Sequence, residues 1–290
     1  MKTEQVVFLG PESATFSYEA YLKLSEMYNA PIIGDSGVEL LPVLSNADVL
    51  KTFQAGKGTY GVIAMETKAK GKITEQMESF VDFLSSNNSI SIIGAVKMDI
   101  NFALMVRPGV EKGKIRRVLG HKKALEVCAK KFESLQMKGV EKDSNGQAAA
   151  EVATVEMYSD YAALGPASAA KKYGLNILSN CFEDDRAVTT FFLLGPAKEV
   201  PRLRKNNRVL IVNRIKHESG SLADTLIPFK KAKINLIHIH SVYISNNEYA
   251  FVMEMEVSDK QIPSFKKAAI ELKKHVVKSL IFGPFGVETI

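Results

Sequence analysis

The sequence predicts an α/β fold followed by a smaller ferredoxin-like β-α-β-β-α-β unit, and three observations carry that expectation. Strand-like and helix-like segments alternate through the first two-thirds of the 290-residue chain, the pattern of largely parallel sheets covered by helices. A stretch with two prolines, a basic run and paired asparagines, "PAKEVPRLRKNN" (196–207), then interrupts the alternation with a linker composition. Beyond it the segments run strand, helix, strand, strand, helix, strand.

The elements follow in order. "VVFLG" (6–10) is a short apolar run closed by Gly10-Pro11, hence a strand and a turn. A helix is expected from about Thr15 to Tyr28. "VELLPVL" is extended because Pro42 interrupts any helix there. "SNADVLKTFQAGKG" offers Ser45 or Asn46 as N-cap and Gly56 as terminator of a helix. "YGVIAME" (60–66) reads as a buried strand. "ITEQMESFVDFL" puts Ile73, Met77, Phe80, Val81 and Leu84 on one helical face. "SIIGAV" and "NFALMV" are strands, the second ended by Pro108-Gly109. "RRVLG" leads into the helix "HKKALEVCAKKF", where Leu125, Cys128 and Phe132 share a face. "SNGQAAAEVA" starts a helix and "YAALG" is a strand. "PASAAKKYG" is a helix with Pro166 in its first turn and Gly174 past its end. "NILSN" and "TTFFLLG" are extended. After the linker, "RVLIVNRI", "INLIHIHSVYI", "EYAFVMEMEV" and "VVKSLIFG" are strands. The helices between them are "SGSLADTLIPFKKAK" and "DKQIPSFKKAAIELKKH".

Composition narrows the function classes. Hydrophobic residues make up 46% and charged residues 24%, as in an ordinary globular chain. No apolar run approaches the ~20 residues of a membrane span, so the expected location is the cytoplasm. The two cysteines, Cys128 and Cys181, lie in no metal-ligand spacing, and no metal is expected. The net charge of +6 comes from lysine pairs scattered over the polar faces of helices. With no Trp and no basic-aromatic interleaving, nucleic acid is not an expected partner.

Six blocks in order carry a resemblance over essentially the whole chain. They are "FLGPESATFSYEA", "YGVIAMETKAKGKI", "GHKKALEVC", "SNGQAAAEVA", "AALGPASAAKKYGLNILSNCFEDD" and "TTFFLLG", followed by the βαββαβ unit. Together they resemble the prephenate dehydratase family with a C-terminal ACT domain. The resemblance implies a catalytic region of two periplasmic-binding-protein-like subdomains at 1–197, a linker at 198–206 and an ACT regulatory domain at 207–290. It implies conversion of prephenate to phenylpyruvate, carbon dioxide and water on the route to phenylalanine, without a cofactor. Expulsion of a ring hydroxyl needs a proton delivered to a poor leaving group, and aromatisation drives the step. A positioned hydroxyl in a dry cleft suffices.

Residue by residue, Thr190 matches the family's threonine and is the expected proton donor, with Glu66 as the second catalytic candidate. Ser13, Thr15, Thr67, Lys68, Thr189, Phe191 and His121 are the expected substrate contacts. Asp184 matches an acidic position that would orient the loop before the motif. Three departures stand out. Phe191 occupies the place of the family's arginine, Val188 that of an asparagine, and Glu66-Thr67-Lys68 that of Glu-Asn-Ser. An arginine fork is the natural holder of a substrate carboxylate, and Lys68, Lys70 or Arg186 would have to supply the cation instead.

In the C-terminal unit Gly220-Ser221-Leu222 resembles the ACT motif Gly-Ala-Leu. His240-Ser241 stands where the family carries Glu-Ser-Arg-Pro, so Gly220, Ser221, Leu222, His240 and Ser241 are the expected effector contacts, with phenylalanine as the effector. Paired ACT domains imply a homodimer or homotetramer. Two further readings stay open on sequence alone: a prephenate decarboxylase that does not aromatise, and a non-catalytic ligand-binding protein.

Overall fold

A computed structural model describes residues 4–28, 38–67, 71–72, 79–80, 82–83, 86, 89–199, 203, 206–245 and 248–290. The chain forms two compact units. One holds Met1–Ile73, Lys97–Phe191 and Ile290; the other holds Thr74–Val96 and Phe192–Thr289. Strands β5 (Ile90–Asp99) and β11 (Val188–Pro196) each contribute residues to both.

The first unit contains two sheets. In one, β1 (Glu4–Leu9) lies parallel to β2 (Val38–Val43) and to β3 (Tyr60–Thr67), with Val6 opposite Leu40 and Tyr60. A central parallel strand is covered on both faces, which is why Val6, Val7 and Phe8 form an uninterrupted buried run. Helices α1 (Phe16–Tyr28) and α2 (Asn46–Gln54) follow their strands as expected. Phe8 stacks on Tyr21 of α1 at 6.3 Å. Ser45 caps α2 by accepting the Asp48 N–H at 3.1 Å. Strand β3 also pairs with the two-residue β4 (Gly71–Lys72). The helix expected over 73–84 falls largely outside the described residues.

The second sheet of this unit is mixed, in the order β10-β6-β9-β7-β8. Strand β7 (Arg117–His121) is parallel to β8 (Lys138–Lys142) and β9 (Ala162–Gly165). Strand β6 (Ala103–Val106) runs antiparallel to β9 and to β10 (Asn176–Ser179). Its core is built from small residues: Ala103, Ala148, Ala149, Ala163, Ala169 and Ala170 pack with Met105, Leu119 and Val152. The alanine runs of α5 (Asn145–Thr154) and α6 (Ala167–Tyr173) therefore bring helix and sheet close together. Pro166 is the N-cap of α6, one position before its first turn, and Gly174 ends it in the left-handed conformation at φ 66°.

One expectation is corrected here. The segment "HKKALEVCAKKF" forms two helices, α3 (Lys122–Val127) and α4 (Ala129–Ser134), broken at Cys128 with φ −111° and ψ 11°. Cys128 gives α4 no side-chain cap. The Asp184 carboxylate supplies it from far along the chain, accepting the N–H groups of Lys130 at 2.8 Å and Lys131 at 3.0 Å.

The second unit contains the βαββαβ order that the sequence predicts. Strands β12 (Asn206–Arg214), β13 (Asn235–Ser245), β14 (Glu248–Ser258) and β15 (Lys278–Thr289) form an antiparallel array in the order β13-β14-β12-β15. Helices α7 (Ser221–Lys231) and α8 (Ile262–Leu272) cover one face, where Phe229 and Phe265 stack at 6.0 Å over Val209, Ile211, Met253 and Met255. Arg208 and Glu254 form a buried ion pair between adjacent strands. Strand β15 runs to Thr289, well past the expected "VVKSLIFG".

Candidate active site and effector site

The loop joining β1 to α1 sits at the carboxyl end of a parallel strand, where open α/β sheets place their ligands. Within it Ser13 is half-buried and holds φ 56°, a backbone conformation uncommon outside glycine. Thr15 is 5% exposed. Its hydroxyl donates to the Leu9 carbonyl at 2.7 Å and accepts the Tyr18 N–H at 3.3 Å. That hydroxyl's single proton is committed to the turn. Thr15 thereby shapes the loop through its hydroxyl.

The amino end of α5 meets this loop. A side-chain carbon built on Gly146 would lie 2.3 Å from Cδ of Pro11 and 3.1 Å from the Ala14 carbonyl oxygen, so only glycine admits the approach. The preceding residue, Asn145, accepts the backbone N–H of His121 through Oδ1 at 2.9 Å. The β1–α1 loop and the His121 turn, at the end of β7, are thereby joined through Asn145-Gly146. His121 caps α3 with its ring, Nδ1 accepting the Lys123 N–H at 3.3 Å. Burial, and then the nearby Lys123 charge, hold its pKa below the ordinary histidine value. Two further bonds tie the segment at 12–19 to α6. Ser168 Oγ donates to Glu19 Oε1 at 2.7 Å, and Lys172 Nζ donates to the Glu12 carbonyl. Burial raises the pKa of Glu19, more than the Ser168 hydrogen bond lowers it.

On β11, Thr189 is 6%, Thr190 4% and Phe191 2% exposed. Successive strand residues point to opposite faces, so Thr190 faces away from Thr189 and Phe191. Strand β3 neighbours β11 in the sheet and carries Glu66 and Thr67 at its end, opposite Lys72 and Gly71 of β4. Lys68 and Lys70 lie outside the described residues. Arg186, named as a possible replacement cation, is committed elsewhere: its Nε and Nη2 donate to the two oxygens of Asp99, each at 2.8 Å.

The second unit holds a cavity of ≈ 390 Å³ whose lining includes Arg214, Lys216, Gly220, Leu222, Tyr249 and Phe251. Two of the expected effector residues, Gly220 and Leu222, line it; Ser221, His240 and Ser241 do not. Gly220 adopts φ 85° at the N-cap of α7 and offers no side-chain cap there. His240 Nε2 is a buried ring nitrogen without a hydrogen-bond partner.

Sequence reasoning missed Asn145, Glu19 and Ser168. Asn145 follows the recognisable cap Ser144, but its partner is 24 residues away. Ser168 and Glu19 are separated by 149 residues, and no local pattern joins them. Among the described residues no group of three or more His, Cys, Asp and Glu side chains is placed to hold a metal ion. No described helix is long and apolar enough to cross a membrane.

A two-subdomain α/β architecture of periplasmic-binding-protein type, with a ferredoxin-like unit, defines the class of fold. It is shared with the prephenate dehydratase of Arthrobacter aurescens solved with L-Phe, at a TM-score of 0.79 and 23% identity, covering 97% of this chain and 89% of that one. It is shared as well with GqqA, described as a novel type of quorum quenching acylase, at a TM-score of 0.75 and 21% identity, covering 98% and 97%. At such identities the likeness speaks for the fold alone. The family is given by sequence: the family model named "Prephenate dehydratase" matches residues 6–199, and the chain belongs to the prephenate dehydratase family. Among its relatives, the bifunctional chorismate mutase/prephenate dehydratase of Stutzerimonas stutzeri is 27% identical over 284 residues. That match covers 97% of this chain and 73% of the relative.

Proposed function

We propose that this protein is a prephenate dehydratase, a carbon–oxygen lyase that forms phenylpyruvate, carbon dioxide and water from prephenate for phenylalanine biosynthesis. The observation that carries the reading is the family match over 6–199, which includes Thr190 on β11 and the loop that follows β1. In this reading Thr190 delivers the proton to the departing hydroxyl, Glu66 is the second catalytic group, and Ser13, Thr67, Lys68 and His121 are the substrate contacts, while Thr189 and Phe191 face the other side of β11. Thr15, a further expected contact, also holds the β1–α1 turn. Phe191 supplies no cation, so the carboxylate contact of an arginine fork is absent at that position. A lost charge-assisted hydrogen bond of about 1.5–3 kcal/mol lowers turnover on the order of 10- to 150-fold. The enzyme is accordingly expected to be slow.

Incubating the purified chain with prephenate and following phenylpyruvate by ultraviolet absorbance tests the reading. Steady formation of the aromatic keto acid is the expected result. Prephenate that binds and is never turned over, even at high enzyme concentration, refutes it, and a non-aromatic decarboxylated product identifies the alternative lyase. We assign phenylalanine to the cavity beside Gly220 and Leu222, supported by the L-Phe complex of the Arthrobacter aurescens protein. A cytoplasmic homodimer or homotetramer completes the proposal, and light scattering on the purified protein measures the assembly.

A further inference from the structure

We propose that Ser168 and Lys172 of α6 are positioning residues for substrate binding: through Glu19 and the Glu12 carbonyl they hold the β1–α1 loop, with Ser13 at its centre, against the second sheet. The inference rests on the dehydratase reading, in which this loop meets the substrate. It adds two residues of a distant helix that act without touching the substrate.

Ser13 stands in a conformation that a serine does not choose. Its φ of 56° lies in the left-handed region, and such a backbone persists only where its surroundings over-determine it. Elements of the second sheet supply that constraint on both sides of Ser13. Before it, Pro11 lies against Gly146, and Lys172 Nζ donates to the Glu12 carbonyl. After it, Ala14 is fully enclosed in the core of the second sheet, among Ala103, Met105, Leu119 and Ala148. Phe16 meets Phe102, which precedes β6, edge-on at 5.2 Å. Ser168 Oγ then donates to Glu19 Oε1 at 2.7 Å, in the first turn of α1. The other foot of the loop stays in the first sheet, where the Gly10 N–H donates to the Val43 carbonyl at 2.9 Å. A segment that leaves a strand of one sheet is thus seated in the core of the other. Apolar packing is non-directional: Ala14 and Pro11 fix where the loop lies, not which way its peptides turn. Direction comes from the two polar bonds, and α6 makes both from one face, because Ser168 and Lys172 are four residues apart.

Two variants of equal shape isolate the hydroxyl. Ser168→Val deletes the donor to Glu19, and Ser168→Thr keeps it. The expected result is a KM for prephenate raised about 5-fold or more in S168V, with kcat within about twofold of wild type. S168T is expected to keep a KM near that of wild type. Lys172→Met retains the stem of the side chain and removes the ammonium, and it is expected to raise KM in the same way. Equal KM in S168V and S168T, or a fall in kcat at unchanged KM, overturns the positioning role. The readout independent of turnover is hydrogen exchange followed by mass spectrometry. Residues 11–19 are expected to exchange faster in the double variant S168V/K172M than in wild type, with β7–β9 exchanging at the wild-type rate. Unmoved exchange at 11–19, or faster exchange through β7–β9 as well, overturns the anchoring. If wild type proves inactive, the dehydratase reading fails by itself, and prephenate affinity measured by calorimetry replaces KM. Weaker binding in S168V than in S168T then supports the positioning role, and equal affinities, absent binding included, overturn it.

Discussion

Thr190 is 4% exposed on a strand whose neighbours Leu193 and Leu194 are fully enclosed, so packing and chemistry compete as explanations of its presence. Thr190→Val keeps the shape and deletes the hydroxyl. A positioned proton donor contributes on the order of 10²-fold or more, and kcat is expected to fall by about that factor in the valine variant while Thr190→Ser retains most activity. Equal rates in all three proteins would make Thr190 a packing residue. Glu19 allows a second test at this scale. Its folded pKa lies above the ordinary carboxylate value because burial opposes ionisation. The folded state therefore keeps a proton where the unfolded chain has released it. That contribution is whole below the ordinary carboxylate range and is lost as pH rises toward the raised value. Glu19→Gln, whose amide oxygen still accepts from Ser168, is expected to gain stability relative to wild type between about pH 4 and neutrality. Denaturant titrations at the two pH values check this, and parallel curves would contradict it.

At the scale of elements, the break between α3 and α4 shows what a sequence can and cannot carry. Ser45, Ser144 and Gly174 act within a few residues of themselves, and the corresponding helix ends were legible. The helical period runs without interruption through Cys128, and nothing local marks the break there. What the break needs is Asp184, which caps Lys130 and Lys131 across more than fifty residues. The same limit governs the site. Thr15 and Arg186 have the right chemistry for a substrate contact; Leu9 and Tyr18, close by in sequence, hold the Thr15 hydroxyl, whereas the Arg186–Asp99 pair spans 87 residues and belongs to tertiary structure. Asp184→Ala is expected to lower stability by about 1–2 kcal/mol, measured by urea denaturation. A change within error would mean that solvent replaces the cap at no cost.

Over the whole molecule, the alternation of strand and helix and the βαββαβ order were readable because both follow from periodicity and short connections. The mixed direction of the second sheet was not, since antiparallel β6 and β10 leave the same apolar runs as parallel strands. If phenylalanine occupies the cavity of the second unit, mass action makes it a stabiliser of the fold. At 100 times its dissociation constant the folded state gains about 2.7 kcal/mol. A melting temperature that rises with phenylalanine and not with alanine is the expected result; an unchanged one removes phenylalanine from that cavity.

The two cysteines turn the chain into its own gauge of breathing. Cys128 is fully enclosed and its thiol is pushed up to about 12 by burial and by Asp184 and Glu183, whereas Cys181 is exposed. An alkylating reagent at neutral pH is expected to mark Cys181 at once and Cys128 only during excursions that open the α3–α4 junction. The ratio of the two labelling rates then reads out the free energy of that excursion, and prompt, equal labelling would show that the junction stands open.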